Sequence, residues 1–81
     1  MFINKTPDGR NNICGRQIAI LRKEMKKSQR QLADDLQLLW LDVDKNAIQR
    51  MESGSRFVTD IELMYLAKAL HTSVGSLLAE A

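Results

Sequence analysis

The chain has 81 residues, of which 44% are hydrophobic and 27% are charged, and its formal net charge is +2. This length predicts a single domain whose small core leaves little room for a deep substrate cavity, so we do not expect an enzyme. No apolar run approaches the roughly 20 residues that cross a bilayer, and no apolar leader follows Met1. The single cysteine, Cys14, fits a reducing compartment, so we expect a cytoplasmic protein without membrane association.

Positive charge is concentrated in one part of the sequence. Residues 10–30 contain seven basic side chains and one acidic side chain, whereas residues 31–44 contain four acidic side chains and no basic one. Such a block in a chain of low net charge indicates either one positively charged face or an ordinary solvated helix face.

The N-terminal residues predict an arm that precedes the first element. A proline, an Asp-Gly pair and two asparagines are typical of turns, so residues 1–11 are interpreted as a flexible arm and residues 12–81 as the domain. From about Ile13, apolar side chains recur at helical spacing, which predicts the first helix. These side chains are Cys14, Ile18, Leu21 and Met25.

The second helix is marked by its polar start. Ser28, followed three residues later by Gln31, has the pattern of a capping box, and we expect the helix to end near Trp40. Its inward side chains are Leu32, Ala33, Leu36 and Leu39.

A short third helix is predicted from Lys45 to Ser53. Asp44 precedes it as an N-cap, and Gly54 suits the left-handed residue that closes a helix. Its inward side chains are Ala47, Ile48 and Met51.

Two further helices complete the chain. Thr59 and Glu62 form a second capping-box pattern, and Ser73 opens a last short helix. The apolar positions that follow these caps are Leu63, Leu66, Ala67 and Leu70, then Val74, Leu77 and Leu78. No stretch alternates as a strand does, so the predicted fold class is all-α with five helices.

Four sequence fragments carry a resemblance to a known family. They are Leu21-Arg22, Ser28-Gln29-x-x-Leu32-Ala33, Ala47-Ile48-x-x-Met51-Glu52-x-Gly54 and Leu66-Ala67-x-Ala69-Leu70. Their order and spacing resemble the lambda-repressor/Cro-like (XRE-type) helix-turn-helix family over about residues 13–78. The resemblance implies a compact DNA-binding domain of that type, which needs no cofactor.

The outer face of the third helix suits base edges. Ile48 and Met51 are expected to face the core, which leaves side chains of the types that pair with guanine and adenine on the opposite face. The resemblance implies that this helix lies in the major groove. The candidate base contacts are Lys45, Asn46, Gln49 and Arg50.

The resemblance also implies phosphate contacts and a structural ion pair. Gln29 matches a family position at the start of the second helix, where a helix N-terminus favours an anion. Further candidate phosphate contacts are Ser55, Arg56, Arg30 and Lys27, with Arg16 and Lys26. Arg22 and Glu52 match a pair that joins the first and third helices, so neither is expected to contact DNA.

The sequence departs from the family between the second and third helices. Residues 38–44 make this connection longer than usual, and Trp40 stands where the family often has glycine. The longer turn is expected to change the angle of the third helix. The transfer of roles is therefore firmer for Gln49 and Arg50 than for Lys45 and Asn46.

Three residues allow more than one interpretation. Trp40 is expected to close the core beneath the longer turn, with a dimer or partner anchor as the alternative. His71 is interpreted as a helix-end residue, because histidine tolerates a positive φ and no Cys/His cluster indicates a metal site. Cys14 is interpreted as a small core residue.

Together these patterns predict a sequence-specific transcriptional regulator, a repressor, that binds double-stranded DNA as a homodimer. Its dimer contacts are expected within residues 74–81. The alternative is a protein-interaction module, antitoxin-like or an adaptor, which keeps the fold and docks a partner on Leu39, Trp40, Leu41 and Val43. An exposed Trp40 between exposed leucines would favour the partner, whereas a continuous positive face would favour DNA.

Overall fold

In a computed structural model, residues 4–79 are described and form five helices. They are α1 (Gly15–Glu24), α2 (Gln29–Leu38), α3 (Lys45–Ser53), α4 (Asp60–Ala69) and α5 (Val74–Leu78). Within this described part there is no strand, and the predicted all-α five-helix fold is confirmed. The first three residues of the predicted arm and the last two of the predicted dimer segment 74–81 lie outside it.

Side-chain caps fix the starts of the helices. Ser28 and Gln31 form a complete capping box at α2, and Thr59 and Glu62 form another at α4. At α3 the Asp44 carboxylate accepts the backbone N–H of Ala47 at 2.8 Å. Each cap satisfies a donor that the first helical turn leaves open, so local sequence sets where these helices begin.

Left-handed residues occur in all four connections between the helices, the first being Lys26 after α1 with a φ of +58°. Gly54 follows α3 with a φ of +84°, and a glycine adopts this conformation without steric cost. Trp40 and His71 have φ values of +71° and +54° after α2 and α4, which confirms the helix-end interpretation of His71.

The core lies where the five helices meet. Its fully buried large side chains are Ile18, Leu32, Leu36, Ile48, Met51, Leu66 and Leu77. Ala33 is also buried, and its helix α2 contacts both α3 and α4. The core therefore holds α3 by one side only, against α1 and α2.

The chain before α1 is folded back on itself. The N–H of Thr6 donates to the carbonyl of Arg10 at 2.8 Å, and the N–H of Arg10 donates to the Thr6 hydroxyl at 2.9 Å. The Asn12 side chain then accepts the N–H of Gly15 at 2.8 Å, so α1 begins two residues later than the apolar pattern predicts. The flexibility expected of residues 1–11 stays a prediction.

The interpretation that Trp40 closes the core is wrong. Trp40 is 92% exposed, and Leu38, two residues earlier, is 80% exposed. Val43 is buried beneath the turn instead, and Leu39 and Leu41 pack partly against the core. Helix α2 ends at Leu38 because the chain turns into the left-handed region two residues later. None of the helices in residues 4–79 has the length and apolar character needed to span a membrane.

Candidate nucleic-acid interface

Helix α3 has one buried face and one exposed face. Ala47, Ile48 and Met51 are buried against the core. The exposed side chains are those predicted to contact bases, namely Lys45, Asn46, Gln49 and Arg50. Burial at three- and four-residue spacing fixes the rotation of the helix about its axis, so these four side chains point away from the core.

The four exposed side chains are not used within the fold. No ion pair or side-chain hydrogen bond among residues 4–79 involves the side chain of Lys45, Asn46, Gln49 or Arg50. Their donors and acceptors are therefore available to a ligand that has both donors and acceptors on its surface. Base edges in a major groove have that character.

Arg22 and Glu52 form a two-hydrogen-bond ion pair between α1 and α3. Arg22 Nε lies 2.7 Å from Glu52 Oε2, and Arg22 Nη2 lies 3.0 Å from Glu52 Oε1. The hydrogen bond to Glu52 is the main reason that the pKa of Arg22 is raised. The two side chains are only 11% and 9% exposed, so the pair fastens α3 to α1 in a setting with little water.

Gln29 joins this pair from the start of α2. Its Nε2 donates to Glu52 Oε1 at 3.0 Å, so the side-chain amide faces the protein. The N–H groups of Gln29 and Arg30 belong to the first turn of α2, before the first hydrogen bond within the helix. A phosphate contact at this site would therefore use the backbone of Gln29 and not its side-chain nitrogen.

Arg56 is engaged by α4. Its Nη1 and Nη2 donate to Glu62 Oε1 and Oε2 at 3.0 and 2.8 Å, and Nη1 also donates to the carbonyl of Phe57 at 3.0 Å. The pKa of Arg56 is raised chiefly by the hydrogen bond to Glu62. The fork of the guanidinium thus faces α4, a contact that the sequence analysis did not foresee.

The remaining phosphate candidates differ in their availability. Lys27 forms an ion pair with Asp35 on α2. Arg30 is exposed, and no ion pair within residues 4–79 uses it. Ser55 is exposed beside the end of α3, with its hydroxyl 3.0 Å from that of Ser53. Arg30 therefore keeps its charge open to solvent, whereas the Ser55 hydroxyl also donates to the carbonyl of Arg50 at 3.4 Å and already has partners within the fold.

Three residues that the sequence analysis did not single out lie against the carboxyl end of α3. Arg10, Asn11 and Asn12 donate hydrogen bonds to backbone carbonyls between Met51 and Arg56. They are 39 to 44 residues away in sequence from their partners. No local pattern signals a contact over that separation.

The side chains that could bind a metal ion are not clustered in the described part of the chain. Residues 4–79 contain no group of three His, Cys, Asp or Glu side chains that could hold a metal ion. Cys14 is buried, and this burial raises the pKa of its thiol, so the residue packs as an uncharged core side chain.

Comparison with known proteins agrees with this geometry. A family model described as helix-turn-helix matches residues 18–77, from α1 into α5. Among solved structures, the chain is similar to the restriction-modification controller protein C.AhdI from Aeromonas hydrophila. The TM-score is 0.69 at 26% identity, over 79% of this chain and 86% of that chain. No curated protein matches the chain significantly. The chain therefore belongs to the XRE-type helix-turn-helix family, and it is a DNA-binding transcription regulator.

Proposed function

We propose that the protein is a transcriptional repressor that reads a DNA major groove with α3 and binds a near-palindromic site as a homodimer. The observation that carries this proposal is the outer face of α3, where four polar side chains are exposed and unused by the fold. Similarity to a restriction-modification controller protein supports a regulatory role.

Base readout is assigned to Lys45, Asn46, Gln49 and Arg50. An α-helix fits the B-form major groove, where its exposed side chains can reach base edges. Arg50 and Gln49 offer two-pronged hydrogen bonds to guanine and adenine, whereas Lys45 lies at the amino end beside the longer turn. We therefore expect Gln49 and Arg50 to dominate sequence preference.

Phosphate contacts are assigned to groups at the two flanks of α3. The start of α2 supplies backbone N–H groups at Gln29 with the charge of Arg30, and Ser55 supplies a hydroxyl beyond the end of α3. Lys27 and Arg56 are already paired with carboxylates, so they contribute less unless phosphate displaces Asp35 or Glu62.

The homodimer is proposed because one short helix reads only a few base pairs. Two copies would place two α3 helices one DNA turn apart, roughly 34–36 Å. Residues 74–78 of the predicted dimer segment form α5, in which Leu77 is buried and Leu78 is 42% exposed. On the adjoining α4, Ile61 and Met64 are 61% and 56% exposed. We propose that a second copy covers the α4–α5 patch, which we define as Ile61, Met64 and Leu78.

The exposure of Trp40 favours a second candidate function, the docking of a protein partner. Trp40 and Leu38 present apolar surface that the fold does not need. However, Leu39 and Leu41 pack partly against the core, and Val43 is buried, so the surface is narrower than the sequence predicts. DNA reading is the better supported function because the unused side chains of α3 are polar.

The test is selection of binding sites from random duplex DNA, followed by affinity measurements at several salt concentrations. The expected result is a near-palindromic consensus whose half-sites repeat at about one helical turn. A matched double variant, Gln49→Ala with Arg50→Ala, should lose the consensus but keep salt-dependent binding to random DNA. If the double variant binds all DNA sequences equally more weakly, base readout by α3 is contradicted. If Trp40→Ala retains DNA binding, the exposed tryptophan is not needed for it, which separates the two candidate functions.

A further inference from the structure

The segment before α1 lies across the carboxyl end of α3. Arg10 Nη2 donates to the carbonyl of Glu52 at 2.8 Å, and Arg10 Nη1 donates to the carbonyl of Ser53 at 3.2 Å. We propose that Arg10 is a positioning residue for DNA recognition, which caps α3 and holds its outer face in one orientation. This inference rests on the proposed reading of DNA by α3.

Arg10 supplies hydrogen-bond donors to the last backbone carbonyls of α3. The last carbonyls of a helix have no partner within it, and the carboxyl end of the helix dipole favours a cation. Gly54 ends α3 through its own N–H to the carbonyl of Met51, which leaves the carbonyls of Glu52 and Ser53 open. A planar guanidinium presents two N–H groups to two such carbonyls in a fixed fork, whereas a lysine ammonium is a compact charge on a flexible stem without that fixed geometry.

Two glycines make room for the guanidinium. A Cβ on Gly54 would lie 2.7 Å from Arg10 Cζ, and a Cβ on Gly15 would lie 2.6 Å from Arg10 Nη2. The same Cβ on Gly15 would lie 2.1 Å from the carbonyl oxygen of Met51. The first turn of α1 and the last turn of α3 therefore approach at backbone distance, with Arg10 between them.

Asn12 completes the contact from the same segment. Its Nδ2 donates to the carbonyls of Met51 and Arg56 at 2.9 and 2.8 Å, while its Oδ1 accepts the N–H of Gly15. One buried side chain thus ties the start of α1 to the end of α3 and to the following loop. Arg10 and Asn12 both lie outside the part of the chain that matches the helix-turn-helix family.

The capped turn bears directly on the base-reading residues. The N–H of Ser55 donates to the carbonyl of Arg50 at 3.1 Å, so the last turn of α3 includes the backbone of Arg50. If this turn frays, Arg50 and the neighbouring Ser55 lose their fixed positions relative to DNA. Arg10 itself is half-buried with its fork directed at its own chain, which separates its role from that of a phosphate contact.

The experiment compares Arg10→Ala with wild type by amide hydrogen exchange of the free protein and by binding to the selected DNA site. The amides of Gly54 and Ser55 should exchange about tenfold faster, while those of the α2 core keep their protection. Specific affinity should fall about tenfold with the salt slope unchanged, because no phosphate contact is lost. Lys5→Ala removes one positive charge from the same segment and should change neither measurement, and Arg10→Lys should restore them only in part.

Several outcomes would overturn the inference. A salt slope that falls by about 1 would make Arg10 a direct phosphate contact. The proposal is also contradicted if exchange at Gly54 and Ser55 is unchanged or if all amides exchange equally faster, because Arg10 then does not cap α3 specifically. It is contradicted as well if the affinity for DNA is unchanged. If Arg10→Ala yields too little folded protein, Arg10→Gln is measured in the same way. The exchange measurement uses no DNA, so failure of the proposed function leaves the capping result readable.

Discussion

At the scale of single residues, Arg50 is the proposed base contact with the clearest test. It is exposed on α3, and no ion pair among residues 4–79 uses its guanidinium. We predict that Arg50→Ala weakens specific DNA binding by roughly 1–3 kcal/mol and relaxes preference at one base position. Urea unfolding should show a stability within about 0.5 kcal/mol of wild type, because the side chain is exposed.

Lys23→Ala is the matched control for that prediction. Lys23 is exposed on α1, in the basic block, and the variant removes one positive charge as Arg50→Ala does. It should leave base preference unchanged and alter only the salt dependence of binding. If the two variants have the same effect on every DNA sequence, Arg50 acts as a charge and not as a reader of bases.

Glu62 gives the stability of the fold a predictable pH dependence. Burial alone would raise the pKa of its carboxyl, but hydrogen bonds from Arg56 and the N–H of Thr59 outweigh burial and lower the pKa below its usual 4.5. A lowered pKa in the folded state stabilises the protein above the unfolded value, and this stabilisation is lost as the pH falls through the folded value. We predict that Glu62→Gln costs about 2 kcal/mol at pH 7 and progressively less below pH 4.5.

Urea unfolding at several pH values measures this difference. Asp60→Asn removes an exposed carboxylate from the same first turn of α4 and should cost only a few tenths of a kcal/mol at pH 7. A difference between Glu62→Gln and wild type that stays constant from pH 7 down to pH 3 would assign the effect to packing and not to charge.

At the scale of elements, the connection between α2 and α3 carries a conformational cost. Trp40 has a φ of +71°, and it is 92% exposed, so packing of its ring does not offset the backbone strain. We predict that Trp40→Gly stabilises the protein by about 0.5–1 kcal/mol, because glycine adopts this conformation freely. The measurement is urea unfolding, with Trp40→Ala as the control that keeps the left-handed strain and should gain nothing.

Destabilisation by Trp40→Gly would show that the tryptophan contributes packing after all. Stabilisation would leave its exposed ring as a feature that the fold does not require. If the stabilised variant binds DNA normally but no longer regulates transcription, a protein partner that docks on this surface is indicated.

The helices were predictable from sequence because their signals are local. The caps at Ser28, Asp44 and Thr59 act within three residues, and each starts its helix where the pattern predicts. The bounds of α3 and the burial of Ile48 follow from the same short-range periodicity. The start of α1 lies two residues later than the apolar pattern predicts. The Asn12 side chain accepts the N–H of Gly15, and the position of Asn12 depends on a contact with the end of α3.

The contacts between elements were not predictable in the same way. The engagement of Arg56 by Glu62 and the capping of α3 by Arg10 depend on how loops and helices meet in space. Only the Arg22–Glu52 pair was anticipated, and that expectation came from the family resemblance. Burial of Trp40 beneath the longer turn was expected over its exposure as a partner anchor, because large aromatic rings are highly buried on average.

At the scale of the whole molecule, the α4–α5 patch predicts a dimer. Ile61 and Met64 lie one helical turn apart on α4 and are more than half exposed, with the partly exposed Leu78 on α5. We predict that Met64→Glu weakens self-association at least tenfold, because a carboxylate in an apolar interface loses its water without gaining a partner. Analytical ultracentrifugation over a range of concentrations measures this, with Leu38→Glu as a control that puts the same charge on another exposed leucine.

Measurements of DNA binding then test whether the dimer formed through the α4–α5 patch is the one that binds DNA. A homodimer holds both half-sites, so the second contact benefits from a high effective concentration. Met64→Glu should therefore keep the affinity of wild type for a single half-site and lose most of the added affinity for the full palindrome. If Met64→Glu loses self-association but still binds the full palindrome as tightly as wild type, the dimer that binds DNA does not use the α4–α5 patch. Loss of half-site binding would instead show that Met64 supports the fold of the monomer, because the proposed reading of a half-site by α3 needs only one copy.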